Sequence, residues 1–278
     1  MPPLQYNLRF PFIFLFFLIT TGCFAQLTGV IKDKKTGKPL EFVNIGIVGK
    51  NIGTVCDEHG IFTLNTSLAN ENDTIKIFQL GYATVSESLK DFLLHYGKDP
   101  VIYLRQTTIL LKETVVKPKK EVKKIVGNLD NTEAVVLYFP NHQLGSEIGV
   151  SMHTKNKLAL LEELRFNIAQ VNVDSILFRI NIYSLKNSMP DSSILVQPLY
   201  VTYKNNSGPL LVNVKDLHLY VKDDFFVSLE WIKGSNQNAL RFCAGIMNTH
   251  SLIRTTSEGT WKKSSVGAGF SCKITYFD

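Results

Sequence analysis

Metal chemistry needs ligands at set spacings, and the histidines are the first residues to test. They are His59, His95, His142, His153, His218 and His250. None begins a His-x-x-Glu or His-Glu-x-x-His pattern, so the spacing that sets two ligands on one metal is missing. Serine chemistry fares no better. Gly145-Ser146-Glu147-Ile148-Gly149 is not a Gly-x-Ser-x-Gly elbow, and Lys35-Thr36-Gly37 has no Ser-x-x-Lys partner after residue 25, which leaves it a hairpin turn. Asp57-Glu58-His59 reads as a polar turn, and Gly267-x-Gly269 is too short to cradle a phosphate. No metal or cofactor is expected.

Two constellations stay open. Glu147, Glu162, Glu163, Asp216, Asp223, Asp224 and Glu230 could converge as the carboxylate pair of a glycoside hydrolase, although nothing in their spacing supports it. Arg179 with Tyr183, Tyr200, Tyr203, Tyr220, Trp231 and Trp261 could stack sugar rings and hydrogen-bond their hydroxyls. The competing reading puts these aromatics in a core and leaves Arg179 on the surface or paired with an acid such as Glu230. Arg179, Tyr183, Trp231 and Trp261 are the candidate ligand contacts.

The elements that must position these groups are almost all β. Short alternating runs over 27–33, 42–48, 53–65, 74–78, 82–86, 101–104 and 110–116 are separated by glycine turns, with one helical turn over 88–96. In the Asp57-x-x-Gly60 turn, Asp57 can cap and Gly60 can take a positive φ. Candidate strands resume at 147–152 and run to 270–277. Over 175–183, Ile176, Phe178, Ile180 and Ile182 alternate with Leu177, Arg179, Asn181 and Tyr183, the pattern of a half-buried strand. The 158–164 stretch fits strand or helical turn. Between the two β regions, Pro118 and its lysines mark a linker over 117–130.

Residues 1–25 read as a signal peptide. Arg9 gives a basic start, Phe10–Ile19 an apolar run too short to span a membrane, and small residues lead to cleavage between Ala25 and Gln26. A rival reading makes Cys23 a lipid-anchored residue, although Thr20 stands where such a signal wants an aliphatic side chain. No later segment is apolar enough for a membrane helix. The formal charge of +6 falls to +5 without Arg9, and most of it lies in Lys112–Lys124. The β regions are therefore near neutral, and nucleic acid is not an expected partner. Cys56, Cys243 and Cys272 remain after cleavage; a Cys243–Cys272 disulfide and buried free thiols are both open.

Residues 27 to about 116 resemble the carboxypeptidase regulatory-like domain. The landmarks are Gly29-Val30-Ile31, Gly37-Lys38-Pro39-Leu40, Val43-Asn44-Ile45, Gly53-Thr54, Asp57-x-x-Gly60-x-Phe62 and Leu80-Gly81-Tyr82. The resemblance implies a seven-stranded transthyretin-like β-sandwich, a module common in secreted and outer-membrane proteins of Bacteroidetes. It implies no peptidase activity, which belongs to a different domain. Such modules often precede a TonB-dependent receptor barrel, and Leu111–Val116 is similar to the strand that leads toward one. About 160 residues follow here, too few for a 22-stranded barrel, so no receptor of that type is expected.

The reading is then an all-β protein: signal 1–25, regulatory-like sandwich 26–116, lysine-rich linker 117–130, and a jelly-roll-like β-sandwich over 131–278. It is expected to be secreted, in the periplasm or at the outer membrane or cell surface, and non-enzymatic, with a structural or binding role toward an envelope protein or glycan. The alternative is a carbohydrate-binding accessory of a glycan-uptake system, and the last option an enzyme with an unrecognised carboxylate site. A sugar binder needs Trp231 or Trp261 exposed; an enzyme needs two carboxylates facing each other in a cleft.

Overall fold

The computed structural model describes residues 26–97, 100–107, 121–139, 143–171, 175–204, 208–234, 240–246 and 250–277. The expected signal, its Cys23 and Ala25, and residues 117–120 of the expected linker lie outside the described residues. Among the described residues the chain is all-β with one short α-helix. Among the described residues no helix is long and apolar enough to cross a membrane.

The N-terminal part holds β1 (Gln26–Asp33), β2 (Asn44–Ile47), β3 (Gly53–Val55), β4 (Ile61–Asn65), β5 (Thr74–Phe78), β6 (Val85–Ser88), α1 (Leu89–Tyr96) and β7 (Val101–Leu104). They form a three-stranded sheet, β4-β1-β7, facing a four-stranded sheet, β3-β2-β5-β6. β1 runs antiparallel to β4 and parallel to β7. Alternation explains the faces: Phe62 and Leu64 point inward from β4 while Ile61 and Thr63 stay exposed. Ile31, Ile45, Ile75 and Ile102 meet them in one core, which Leu89 and Phe92 of α1 close. The turn before β4 has the expected chemistry. Asp57 Oδ1 accepts from the backbone of His59 (2.9 Å) and Ile61 (2.8 Å), and Gly60 sits at φ +74°. The expected helical turn is α1, whose Ser88 cap accepts from Asp91 N at 3.1 Å.

The second part adds β8 (Glu121–Gly127), β9 (Val136–Leu137), β10 (Glu147–Met152), β11 (Ala159–Phe166), β12 (Ile168–Val171), β13 (Ser175–Lys186), β14 (Met189–Ser193) and β15 (Leu199–Lys204). It continues with β16 (Leu210–Asn213), β17 (Tyr220–Val221), β18 (Phe225–Lys233), β19 (Leu240–Gly245), β20 (Ser251–Arg254), β21 (Lys262–Lys263), β22 (Gly267–Ala268) and β23 (Phe270–Phe277). One layer is the sheet β14-β13-β18-β10-β20-β21, with β15 also on β13. The other layer is divided. β16-β11-β23-β8 and β12-β19-β22 are separate ladders, but β11 passes into β12 at Asn167 and β22 into β23 at Gly269. Asn167 N bonds Gly269 O at 3.0 Å, so both strands turn the corner together. A single core spans both layers.

Two expectations change. Residues 121–127 are a strand and not linker: β8 pairs with β23 over seven residues, from Glu121↔Phe277 to Gly127↔Ser271. Its lysines conceal the strand. Val122 and Val126 pack on the core, whereas Lys124 lays its ammonium over the Tyr276 ring, 5.9 Å from the centroid. Cys243 and Cys272 form no disulfide; both, with Cys56, are buried free thiols.

Candidate functional site

β13 divides its residues as its alternation requires. Ile176, Phe178, Ile180 and Ile182 enter the core, and Leu177, Arg179, Asn181 and Tyr183 take the opposite face. β18 does the same, with Phe225, Val227, Leu229 and Trp231 inside and Ser228 and Glu230 opposite. Pairing places Arg254, Glu147, Glu230, Arg179 and Tyr200 side by side on five neighbouring strands: β20, β10, β18, β13 and β15.

The N-terminal sandwich covers this row. Glu147 and Glu230 are 0 % exposed, Arg179 6 % and Arg254 9 %. Arg179 grips Glu230 with two bonds, Nε to Oε2 at 2.9 Å and Nη2 to Oε1 at 3.0 Å. Its Nη1 donates to Phe42 O at 2.8 Å, and its Nη2 to Asn44 Oδ1, both in the N-terminal sandwich. Arg254 Nε donates to Glu147 Oε2 at 2.7 Å, and Ser228 Oγ donates to Glu147 Oε1. Asn181 Nδ2 sits between the two carboxylates, 3.0 Å from Glu147 Oε1 and 2.9 Å from Glu230 Oε2.

The two acids are driven apart in affinity for protons. Burial would raise Glu230, but the charge and hydrogen bonds of Arg179 outweigh it and hold the carboxyl below its usual value. Burial raises Glu147, and the neighbouring Glu230 adds to the rise against the pull of Arg254. Divergent carboxylates can mark acid–base catalysis. Here both are sealed from solvent and spoken for by arginines, and neither faces a cleft.

Beside the row, the two sandwiches enclose a groove of about 1000 Å³. Lys76 and Phe78 of β5 form one wall, and β14 with Tyr183, Arg254 and Trp261 forms the other. Trp261 is half-buried and held by its neighbours. Its ring meets Phe226 edge-on (5.4 Å between centroids) and Tyr183 edge-on (6.5 Å), with the Arg254 guanidinium 5.0 Å from its centroid. Lys76 pairs with Glu258 at 2.9 Å across the junction of the sandwiches. The Tyr183 hydroxyl is pushed well above its usual value by burial and by Glu147.

The candidate contacts therefore separate. Tyr183 and Trp261 share the groove. Arg179 is locked under the N-terminal sandwich and Trp231 is a core residue, 4 % exposed and 5.8 Å from the Phe139 ring, so neither is a ligand contact. Parity along β18 is the signal for Trp231, which falls in step with Phe225, Val227 and Leu229. Tyr200 packs edge-on against Phe42, Tyr203 donates to Gly208 O, and Tyr220 packs against Phe277. Of the acids, Glu162 accepts from Thr275 and Asp224 bonds His153, both away from the row. Arg254, Lys76 and Phe78 had no mark in the sequence; β20 is only four residues long, and nothing in β5 announces a contact with residue 258.

The six landmarks read from the sequence, the Asp57 turn among them, all fall in the first sandwich. Residues 27–116 match the model of the CarboxypepD_reg-like domain. The match is to this segment of the chain alone. No curated protein and no solved structure matches the chain. The regulatory-like domain thus supplies Lys76, Phe78 and the Phe42 carbonyl, and the second sandwich supplies the charge row, Tyr183 and Trp261.

Proposed function

We propose that this is a non-enzymatic binding protein of the bacterial cell envelope, of Bacteroidetes type, whose ligand lies in the groove between the regulatory-like domain and the second sandwich. The groove carries the reading. It is of the size that encloses a small ligand, it is mostly apolar, and its polar groups converge from two elements. The sealed state of Glu147 and Glu230 supports a binding role over hydrolysis, which requires water between or beside two accessible carboxylates. Export rests on the signal-like residues 1–25. N-terminal analysis of the exported protein is expected to find Gln26, and a lipid-bearing Cys23 would replace the soluble form with an anchored one.

A second reading, a carbohydrate-binding accessory of a glycan-uptake system, is favoured by one observation: Trp261 is an immobilised ring at the groove wall. The chain has two tryptophans, and with Trp231 in the core a ligand in the groove perturbs Trp261 alone. Titration of the intact protein with envelope extracts and with neutral oligosaccharides is expected to shift this emission, and Trp261→Ala to remove the shift and weaken binding about tenfold or more. Binding that survives Trp261→Ala unchanged would place the ligand elsewhere. A response to protein fractions and none to oligosaccharides would eliminate the glycan reading and leave the groove.

A further inference from the structure

Among the described residues seven non-glycine residues have positive φ, all of them in turns. Lys155–Asn156 and Asn187–Ser188 form two-residue turns, and His218 caps a short 3-10 helix. Phe42 (φ +57°) and Glu258 (φ +60°) are turn residues too, the latter in a turn closed by Gly259 N to Thr256 O at 3.1 Å, but these two turns lie on opposite sides of the junction between the sandwiches. A bulky residue held in this region is strained, and strain persists only where the surroundings impose it. Phe42 meets Val55 of its own sandwich and Ile232 of the other in a small cluster, and its carbonyl is the one that Arg179 binds. Glu258 reaches back with its side chain to Lys76 and with its carbonyl to Gly49 N at 3.1 Å.

Between these two points lies a notch. Gly46 of β2 and Gly53 of β3 are directly opposed in register. A Cβ on either would run into the Ser257 carbonyl oxygen, and one on Gly53 would also sit 2.7 Å from Thr256 Oγ1. Neither glycine has a positive φ, so the requirement is for space. The turn that fills the notch is itself costly. Thr256 and Ser257 are fully buried, yet the Thr255, Thr256 and Ser257 hydroxyls have no hydrogen-bond partner among the described residues. Three such hydroxyls in consecutive residues are hard to explain by the stability of that turn. They make sense if its position is what matters.

We propose that the Gly46–Gly53 notch and the Thr255–Glu258 turn are a docking seat that makes the regulatory-like domain a fixed wall of the groove. The turn leads directly into Trp261, and Thr260 Oγ1 donates to Gly49 O at 2.8 Å, so seat and groove are continuous. Gly46 and Gly53 are then positioning residues for a composite site. The consequence for ligands rests on the groove reading above, but the following assay contains no ligand, so either can fail while the other stands.

The test is zero-length carbodiimide crosslinking of the full-length chain, read by peptide mass spectrometry. Lys76–Glu258 and Lys233–Glu58 both bridge the sandwiches and should crosslink in the native protein. Gly53→Val should reduce both yields at least tenfold, speed exchange at the Gly49 amide, and open Trp261 to acrylamide. Retained crosslinks in a folded Gly53→Val chain would overturn the proposal. If that chain does not fold, the Lys76→Glu variant takes its place. It should lose Gly49 protection, and Lys76→Glu/Glu258→Lys should regain it; no loss in the single variant, or no recovery in the double, would also overturn it.

Discussion

Arg179→Leu is the most direct test of the buried row. The substitution keeps an apolar stem of similar reach but removes both bonds to Glu230 and the donors to Phe42 O and Asn44. Glu230 is then a fully buried carboxylate beside Glu147, with Asn181 as its remaining donor among these contacts. Breaking a buried pair in this way costs about 3–5 kcal/mol, because the stranded charge keeps its desolvation penalty. That is a large share of a total stability of roughly 5–15 kcal/mol. With a urea slope of about 3 kcal/mol per M, the unfolding midpoint should fall by about 1–1.7 M.

The companion variant, Arg179→Leu/Glu230→Leu, removes the stranded charge as well and should recover most of the loss. Acidity supplies a second signature. In the native protein Glu230 lies below its usual pKa, so its stabilising contribution is present above the unfolded value and is lost as pH falls through the depressed one. Without Arg179, burial alone acts and the folded pKa rises above the unfolded one. The sign then reverses: the Arg179→Leu protein gains stability on going from pH 7.5 to pH 5, and loses it as pH climbs. The reasoning fails if the single variant costs less than about 1 kcal/mol, or if the double is as unstable as the single.

Two further predictions use the same physics. Glu147, held above its usual value, gives up less on losing its charge than Glu230 does, so at pH 7 Glu147→Gln should lower the urea midpoint by less than half the shift seen for Glu230→Gln. Equal shifts would show that the row does not distinguish its two acids. Burial pushes the Cys56 thiol up to about 12 and raises Cys243 and Cys272 as well, so a thiol reagent at pH 7.5 should label none of the three in the native protein and all three in denaturant without reduction. A requirement for reductant would reinstate a disulfide.

The N-terminal sandwich was legible because its signals are local. The Asp57-x-x-Gly60 turn is made by four consecutive residues, and Phe62 and Leu64 show their face within one strand. β8 was not legible, because Lys123 and Lys124 continue the lysine-rich sequence of Lys117, Lys119 and Lys120 while two valines, four residues apart, carry the strand's packing. The corner at Asn167 was hidden for another reason. Phe166-Asn167-Ile168 holds no glycine or proline to mark a break, and the bond from Asn167 to Gly269, far along the chain, accompanies the passage between ladders. The groove is the extreme case: Lys76 and Glu258 lie 182 residues apart, and no periodicity connects them.

The alternation of β13 showed that Arg179, Asn181 and Tyr183 share a face, but not what that face meets. A polar face on a strand is ordinarily a solvated one, which makes it a natural place to look for a ligand. Here most of it meets another sandwich. The row carries two arginines and two glutamates, so it brings no net charge into the junction, and the repulsion at its centre is relieved by a single amide that serves both acids. Such a row adds little to stability compared with apolar residues of equal volume. It does demand one alignment: sliding the regulatory-like domain by a residue would take Phe42 O and Asn44 away from Arg179 and lift the Gly46–Gly53 notch off Ser257. The charges and the notch thus specify the same placement by independent means, one through hydrogen-bond geometry and one through excluded volume. A groove whose two walls come from different sandwiches needs that kind of double constraint, since its shape is only as definite as the angle between them.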